Sequence, residues 1–83
     1  MQSTNAALTT LNEIAVEHGI PVQETVHHYH QCRTVDHPNR YTSGLVIKNY
    51  EQATRLNELA SMSGIGTGLH TFGFSSIVFI KVD

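Results

Sequence analysis

Five residues able to bind a transition metal crowd one stretch of this 83-residue chain: His27, His28, His30, Cys32 and His37. Read as an extended strand over 22–33, the segment alternates His28, His30 and Cys32 onto one face. Successive members of that set then lie roughly 6.5–7 Å apart at Cα. Imidazole nitrogen and thiolate sulfur are suitable donors for Zn, Ni or Cu. Two histidines one residue apart on a strand can share a metal. Cys32 joins them only if the strand bends or a symmetry-related chain supplies further ligands, and His37, in the following loop, could close the site. The candidate metal ligands are therefore His28, His30, Cys32 and His37. The same residues could instead be half-exposed strand positions making ordinary hydrogen bonds, and the sequence leaves both readings open.

Other chemistry has less support. Gly64, Gly66 and Gly68 are spaced like part of a nucleotide fingerprint, but a dinucleotide loop follows a strand and opens a helix. Here the order is helix, glycines, strand. Gly64 reads as a helix cap, and Gly66 and Gly68 as a bulge or a close backbone approach. Nucleophilic catalysis requires a base positioned on its nucleophile. Cys32 has histidines near it in sequence only, and Asp36–His37 has no evident serine partner. A small enzyme with one working histidine would use His28, His30 or His70.

Composition narrows the partners. Seven acids against five bases give a net charge of −2 with histidines neutral, and charged residues are 14% of the chain, against about 25% in ordinary soluble domains. No basic stripe is present to follow a phosphate backbone. Of the aromatics a nucleic-acid-binding sheet needs on its central strands, only Phe79 qualifies. Nucleic acid is therefore not an expected partner. A charge-poor surface points to cover by another chain, and a homo-oligomer, a dimer above all, is expected, with a small-molecule ligand or a protein as further partners. Cys32 is the single cysteine, so no disulfide forms within the chain, which fits a reducing compartment. Met1–Thr10 lacks the basic and apolar regions of a signal peptide. The longest apolar run, Ile77–Ile80, is far short of the ~20 residues that cross a bilayer. The expected location is cytoplasmic, without a membrane partner.

The elements that must position these residues follow from periodicity. A first helix is expected over about Thr4–His18, with Ala7, Leu8, Leu11, Ile14, Ala15 and His18 on its apolar face. Gly19 supplies its left-handed cap and Pro21 prevents continuation. Strands are expected over Val22–Arg33 and Thr42–Lys48, joined by a loop over Thr34–Arg40 that holds Asp36, Pro38 and Asn39. Leu45, Val46 and Ile47 are consecutive, as in a strand buried on both faces. A second helix starts at Asn49 as N-cap, with Gln52 three residues on. Its core face carries Ala53, Leu56, Leu59, Ala60 and Met62, and Gly64 ends it. A Gly-rich strand over Ile65–Thr71 turns near Phe72–Phe74 into a final strand over Ser75–Val82.

The helices are copies of one another. Residues 9–20 (TTLNEIAVEHGI) and 54–65 (TRLNELASMSGI) share seven of twelve positions at a constant offset of 45. The shared Leu, Ala and Gly-Ile serve packing and capping, whereas the shared Asn-Glu does not, which points to duplication of an αβ unit. The predicted fold is α+β, one domain over 1–83: a two-layer, ferredoxin-like sandwich in the order α-β-β-α-β-β. An antiparallel four-stranded sheet carries both helices on one face. A ferredoxin-like fold runs β-α-β-β-α-β, so its first strand is here permuted to the C-terminus. The expected sheet order is 65–71, 75–82, 42–48, 22–33, with the doubly apolar strands central. The face opposite the helices then carries apolar residues that need another cover.

The phrase LNEIAVEHGIPV resembles the helix-to-strand passage of ACT and ACT-like regulatory domains, and Leu45–His70 is loosely similar to the ACT-like C-terminal domains of nickel-responsive repressors. The resemblance implies an oligomeric regulatory module that binds a small ligand or metal near subunit interfaces. The repressors' ligand spacing is not reproduced, so no ligand assignment carries over. Two functional classes are expected. The first is a non-enzymatic binding module, either an ACT-like ligand sensor or a protein-surface-binding regulator or inhibitor of the phage or mobile-element type. The second is a transition-metal-binding protein or small histidine-dependent enzyme working on the His-rich strand.

Overall fold

A computed structural model describes residues 4–30 and 41–81 of the chain. Among the described residues six elements follow one another: α1 (Thr4–Glu17), β1 (Glu24–His30), β2 (Tyr41–Ile47), α2 (Tyr50–Met62), β3 (Thr67–Phe72) and β4 (Ser75–Ile80). This is the α-β-β-α-β-β order read from periodicity. The strands form one antiparallel sheet in the order β1-β2-β4-β3, so the two most apolar strands are central, as expected.

Both helices end in the same way because both end in Gly-Ile. Gly19 (φ 66°) and Gly64 (φ 84°) take the left-handed conformation that the absence of Cβ makes accessible. The Gly19 N–H donates to the Val16 carbonyl at 3.2 Å, and the Ile20 N–H to the Ala15 carbonyl at 2.8 Å. Forty-five residues on, the Gly64 N–H donates to Ser61 at 3.1 Å and the Ile65 N–H to Ala60 at 2.9 Å. This paired pattern is a Schellman motif, made twice by matching residues. At the other end of α2, the Asn49 side chain accepts the Gln52 N–H at 3.0 Å, as the capping pattern predicts.

Ala7, Leu11, Ile14 and Ala15 of α1 and Ala53, Leu56 and Ala60 of α2 meet Leu45, Ile47, Val78 and Ile80 in one core, with Ile20 and Ile65 from the helix stops. Since Leu45 and Ile47 alternate with Val46, and Val78 and Ile80 with Ile77 and Phe79, both helices lie on the same face of the sheet. The molecule is 19 Å through its thinnest dimension, the depth of two layers. Two expected core residues are not in it. His18 is exposed because α1 ends at Glu17 and the Gly19 turn carries the chain away from the helix stripe. Met62 is 83% exposed, in the last turn of α2 beyond the reach of the sheet.

A second correction concerns β1. Glu24, Thr25 and Val26 pair with Val46, Leu45 and Gly44, but Tyr29 pairs with Thr42 and His30 with Tyr41. The register shifts between Val26 and Tyr29, and the extra residue of a bulge interrupts the period of two. Tyr29 therefore shares a face with Glu24 and Val26, whereas strict alternation puts it with Gln23 and Thr25. The remainder of the long strand expected over Val22–Arg33 divides in two. Gln23 extends the ladder by donating its N–H to Val46 at 2.8 Å, and 31–33 lie outside the described residues.

Candidate interaction site on the open face of the sheet

The face turned away from the helices carries Val46 and Gly44 from β2, Ile77 and Phe79 from β4, Gly68, His70 and Phe72 from β3, and Val26 and Tyr29 from β1, by register and alternation. Neither α1 nor α2 covers it, yet Val46 (4%) and Ile77 (1%) are as inaccessible as the main core. Aromatic side chains meet one another across it. Tyr29 stacks on Phe79 with ring centroids 4.8 Å apart and planes at 29°. Tyr29 also meets His70 at 6.4 Å, and His70 stacks near Phe72 at 6.3 Å and 23°. Four rings thus join all but one of the strands into an aromatic layer. Such offset geometries suit the ring quadrupole and add to the energy of simple burial.

Two glycines make room for this layer. A Cβ at Gly44 would sit 2.8 Å from the Val78 carbonyl oxygen and 2.9 Å from Cγ1 of Ile77, so the Ile77 side chain lies across Gly44. A Cβ at Gly68 would run into the Phe79 ring, so that ring lies flat over Gly68. These glycines are slots for a neighbour's side chain, and at Gly68 this replaces the bulge or close backbone approach expected from the sequence, since the register with β4 is continuous there. The layer runs on into the β3–β4 hairpin. Gly73, at φ 56°, holds the first turn position, and among the described residues none other than glycine has a positive φ, the pattern of a type II′ turn. At its tip Phe74 is fully exposed, and Phe72 is 46% exposed.

Charge is sparse here. Glu24 and Lys81 are exposed and flank the layer toward opposite ends of the sheet, Glu24 in register with Val46 and Lys81 beside Gly66. On the helix side, a recess of about 190 Å³ is lined by Leu8, Thr9, Asn12, Thr25 and Leu45. It is smaller than the roughly 300–1,000 Å³ of ordinary ligand pockets. In the second copy of the repeat, Asn57, the counterpart of Asn12, accepts a hydrogen bond from Thr67 Oγ1 at 2.6 Å.

The candidate metal ligands are only partly placed. His28 and His30 hold backbone positions in β1, His28 within the register shift and His30 opposite Tyr41, while their side chains lie outside what the structure describes. Cys32 and His37 lie outside the described residues altogether. Among the described residues, no three His, Cys, Asp or Glu side chains gather as a metal site would require. No helix among them is long and apolar enough to cross a membrane.

Tyr29 and His70 are the members of this site that sequence reasoning missed as a pair. His70 and Phe72 could have been read from Gly68-x-His70-x-Phe72 alternating opposite Phe79. Tyr29 could not, because no glycine or proline marks the bulge that turns it onto this face. No family model matches the chain, and neither a curated protein nor a solved structure is significantly similar to it.

Proposed function

We propose that this chain is a non-enzymatic binding module that acts by occupying a protein surface, with the open face of its sheet as the contact. One observation carries the reading: a connected layer of Tyr29, Phe79, His70 and Phe72, half-exposed and charge-poor, continues to the fully exposed Phe74. Aromatic side chains cost little conformational entropy to fix and dominate the centres of protein contacts. A flat layer suits a protein surface better than a small ligand, which calls for a concave, largely enclosed site. That preference favours the surface-binding regulator or inhibitor over the ACT-like sensor. The topology is consistent with a ferredoxin-like sandwich whose first strand is permuted to the C-terminus, since the strand order β1-β2-β4-β3 is what that rearrangement produces. The internal repeat gains support from the duplicated Schellman ends.

A second reading, a Zn, Ni or Cu site on the histidine strand, is supported by His27, His28 and His30 falling together on β1. Native mass spectrometry of untagged protein, purified without chelator, separates the two. A protein complex that disappears in the Phe72→Ser/Phe74→Ser variant supports the surface-binding module. A stoichiometric organic ligand would turn the reading to the sensor. Metal mass lost in His28→Ala/His30→Ala would move the working site to β1.

A further inference from the structure

The two edges of the sheet are built differently. The β1 edge carries the register shift, Glu24 and three histidines, and a bulge with charge is how proteins discourage strand addition. The β3 edge, Thr67-Gly68-Leu69-His70-Thr71-Phe72, has a continuous register with β4 over all six residues and contains no Lys, Arg, Asp, Glu or Pro. Among the described residues, none of the ordinary protections is present on it.

The hydrogen-bond phase of β3 decides what can pair there. The Lys81 N–H donates to the Gly66 carbonyl at 2.9 Å, and Phe72 and Ser75 close the two-residue turn. In an antiparallel ladder bonded pairs alternate, so Gly66, Gly68, His70 and Phe72 direct their backbone groups toward β4. Thr67, Leu69 and Thr71 direct theirs away from the sheet. These three positions are symmetric about Leu69. A second β3 laid antiparallel, with Leu69 opposite Leu69 and Thr67 opposite Thr71, would satisfy three outward N–H and three outward C=O groups on each strand.

We infer that the β3 edge is a two-fold self-association site for a second copy of this chain, centred on Leu69 and forming one continuous eight-stranded sheet. The occupant is a second copy because the outward pattern is its own complement under a two-fold axis, as an isologous contact requires. No side chain of the strand brings a carboxylate, lysine or arginine to face its like across that axis. The inference deepens the proposed function, since joining two sheets at β3 puts their aromatic faces on the same side of one sheet, with the exposed Phe72 and Phe74 of the two copies toward its opposite ends.

Sedimentation velocity of the full chain over a concentration series, with amide hydrogen exchange on the same samples, tests this. The expected result is a dimer in which the amides of Thr67, Leu69 and Thr71 become protected as concentration rises. Thr71→Pro removes one outward donor per copy and no backbone bond to β4, only the 3.2 Å hydroxyl contact with Ser76, and two lost hydrogen bonds between copies should weaken association by about 30-fold. Should that variant misfold by circular dichroism, Thr71→Lys supplies the same test, placing charge on an uncharged edge. A monomer at all concentrations overturns the inference. So does a dimer whose Thr67, Leu69 and Thr71 amides exchange as fast as in the monomer, or an extended peptide of a different protein as the sole occupant of the edge. The last result would leave the surface-binding reading intact, while the Phe72→Ser/Phe74→Ser variant tests that reading without altering the β3 backbone.

Discussion

At the scale of single residues, two glycines in adjacent parts of the sheet should respond differently to the same change. Gly44→Ala drives a methyl into the Val78 carbonyl and the buried Ile77. Backbone cannot swing aside, so the expected loss of stability is about 1–3 kcal/mol, read from urea unfolding. Gly68→Ala meets only the Phe79 ring, the end of a half-exposed side chain able to rotate. Here the expected cost is smaller, and the signature is loss of the Tyr29–Phe79 stack in the near-ultraviolet circular dichroism. Equal costs, with the aromatic signal unchanged, would mean that the ring does not lie over Gly68. Thr42 is a further residue whose role depends on one bond. It is buried, and its hydroxyl donates to the Ile80 carbonyl at 2.5 Å. Thr42→Val keeps the shape and leaves that carbonyl with one partner fewer, for an expected loss of about 1 kcal/mol.

Elements carry the duplication. Gly19 and Gly64 occupy left-handed positions at equivalent helix ends, each followed by a buried isoleucine. An L-residue in that conformation costs about 1–2 kcal/mol, so Gly19→Ala and Gly64→Ala should each lower unfolding free energy by that amount. If the two units are copies, the two losses should agree to within a few tenths in chemical denaturation. A loss at one site only would show that the matching sequences do not play matching parts. Asn49→Ala at the α2 cap should cost about 0.5–2 kcal/mol, seen as a lower midpoint in the same experiment. The helices, their caps and the doubly apolar strands were legible because each is written in local periodicity or a short turn pattern. The bulge in β1 was not. It depends on how Tyr41–Ile47 aligns against β1, which no residue within Glu24–His30 announces.

For the whole molecule, the single core shared by both helices and the two central strands makes stability collective. Leu11 and Leu56 are both fully buried in it, one on each helix. Leu11→Ala or Leu56→Ala should lose about 2–5 kcal/mol, a large part of what a domain this small possesses. Thermal unfolding of each variant should stay a single transition at lower temperature. Two separate transitions would show that α1 and α2 belong to independent units. The aromatic layer forms a second apolar surface on the opposite side of the sheet from that core. Removing the Tyr29 ring should therefore increase binding of a hydrophobic dye while the helix signal persists.

The sequence by itself determined the element order, the helix ends, the strand order of the sheet and the face on which each helix packs. Those follow from apolar spacing, from Gly-Ile stops and from the need of two doubly apolar strands to lie in the centre. Only the tertiary structure decided what lies on the open face. A one-residue register shift turned Tyr29 toward Phe79, and Gly44 and Gly68 let neighbouring side chains lie flat across the sheet. Both effects are contacts between strands distant in sequence, where the free energy of a conformation depends on the partner strand as much as on the residues themselves.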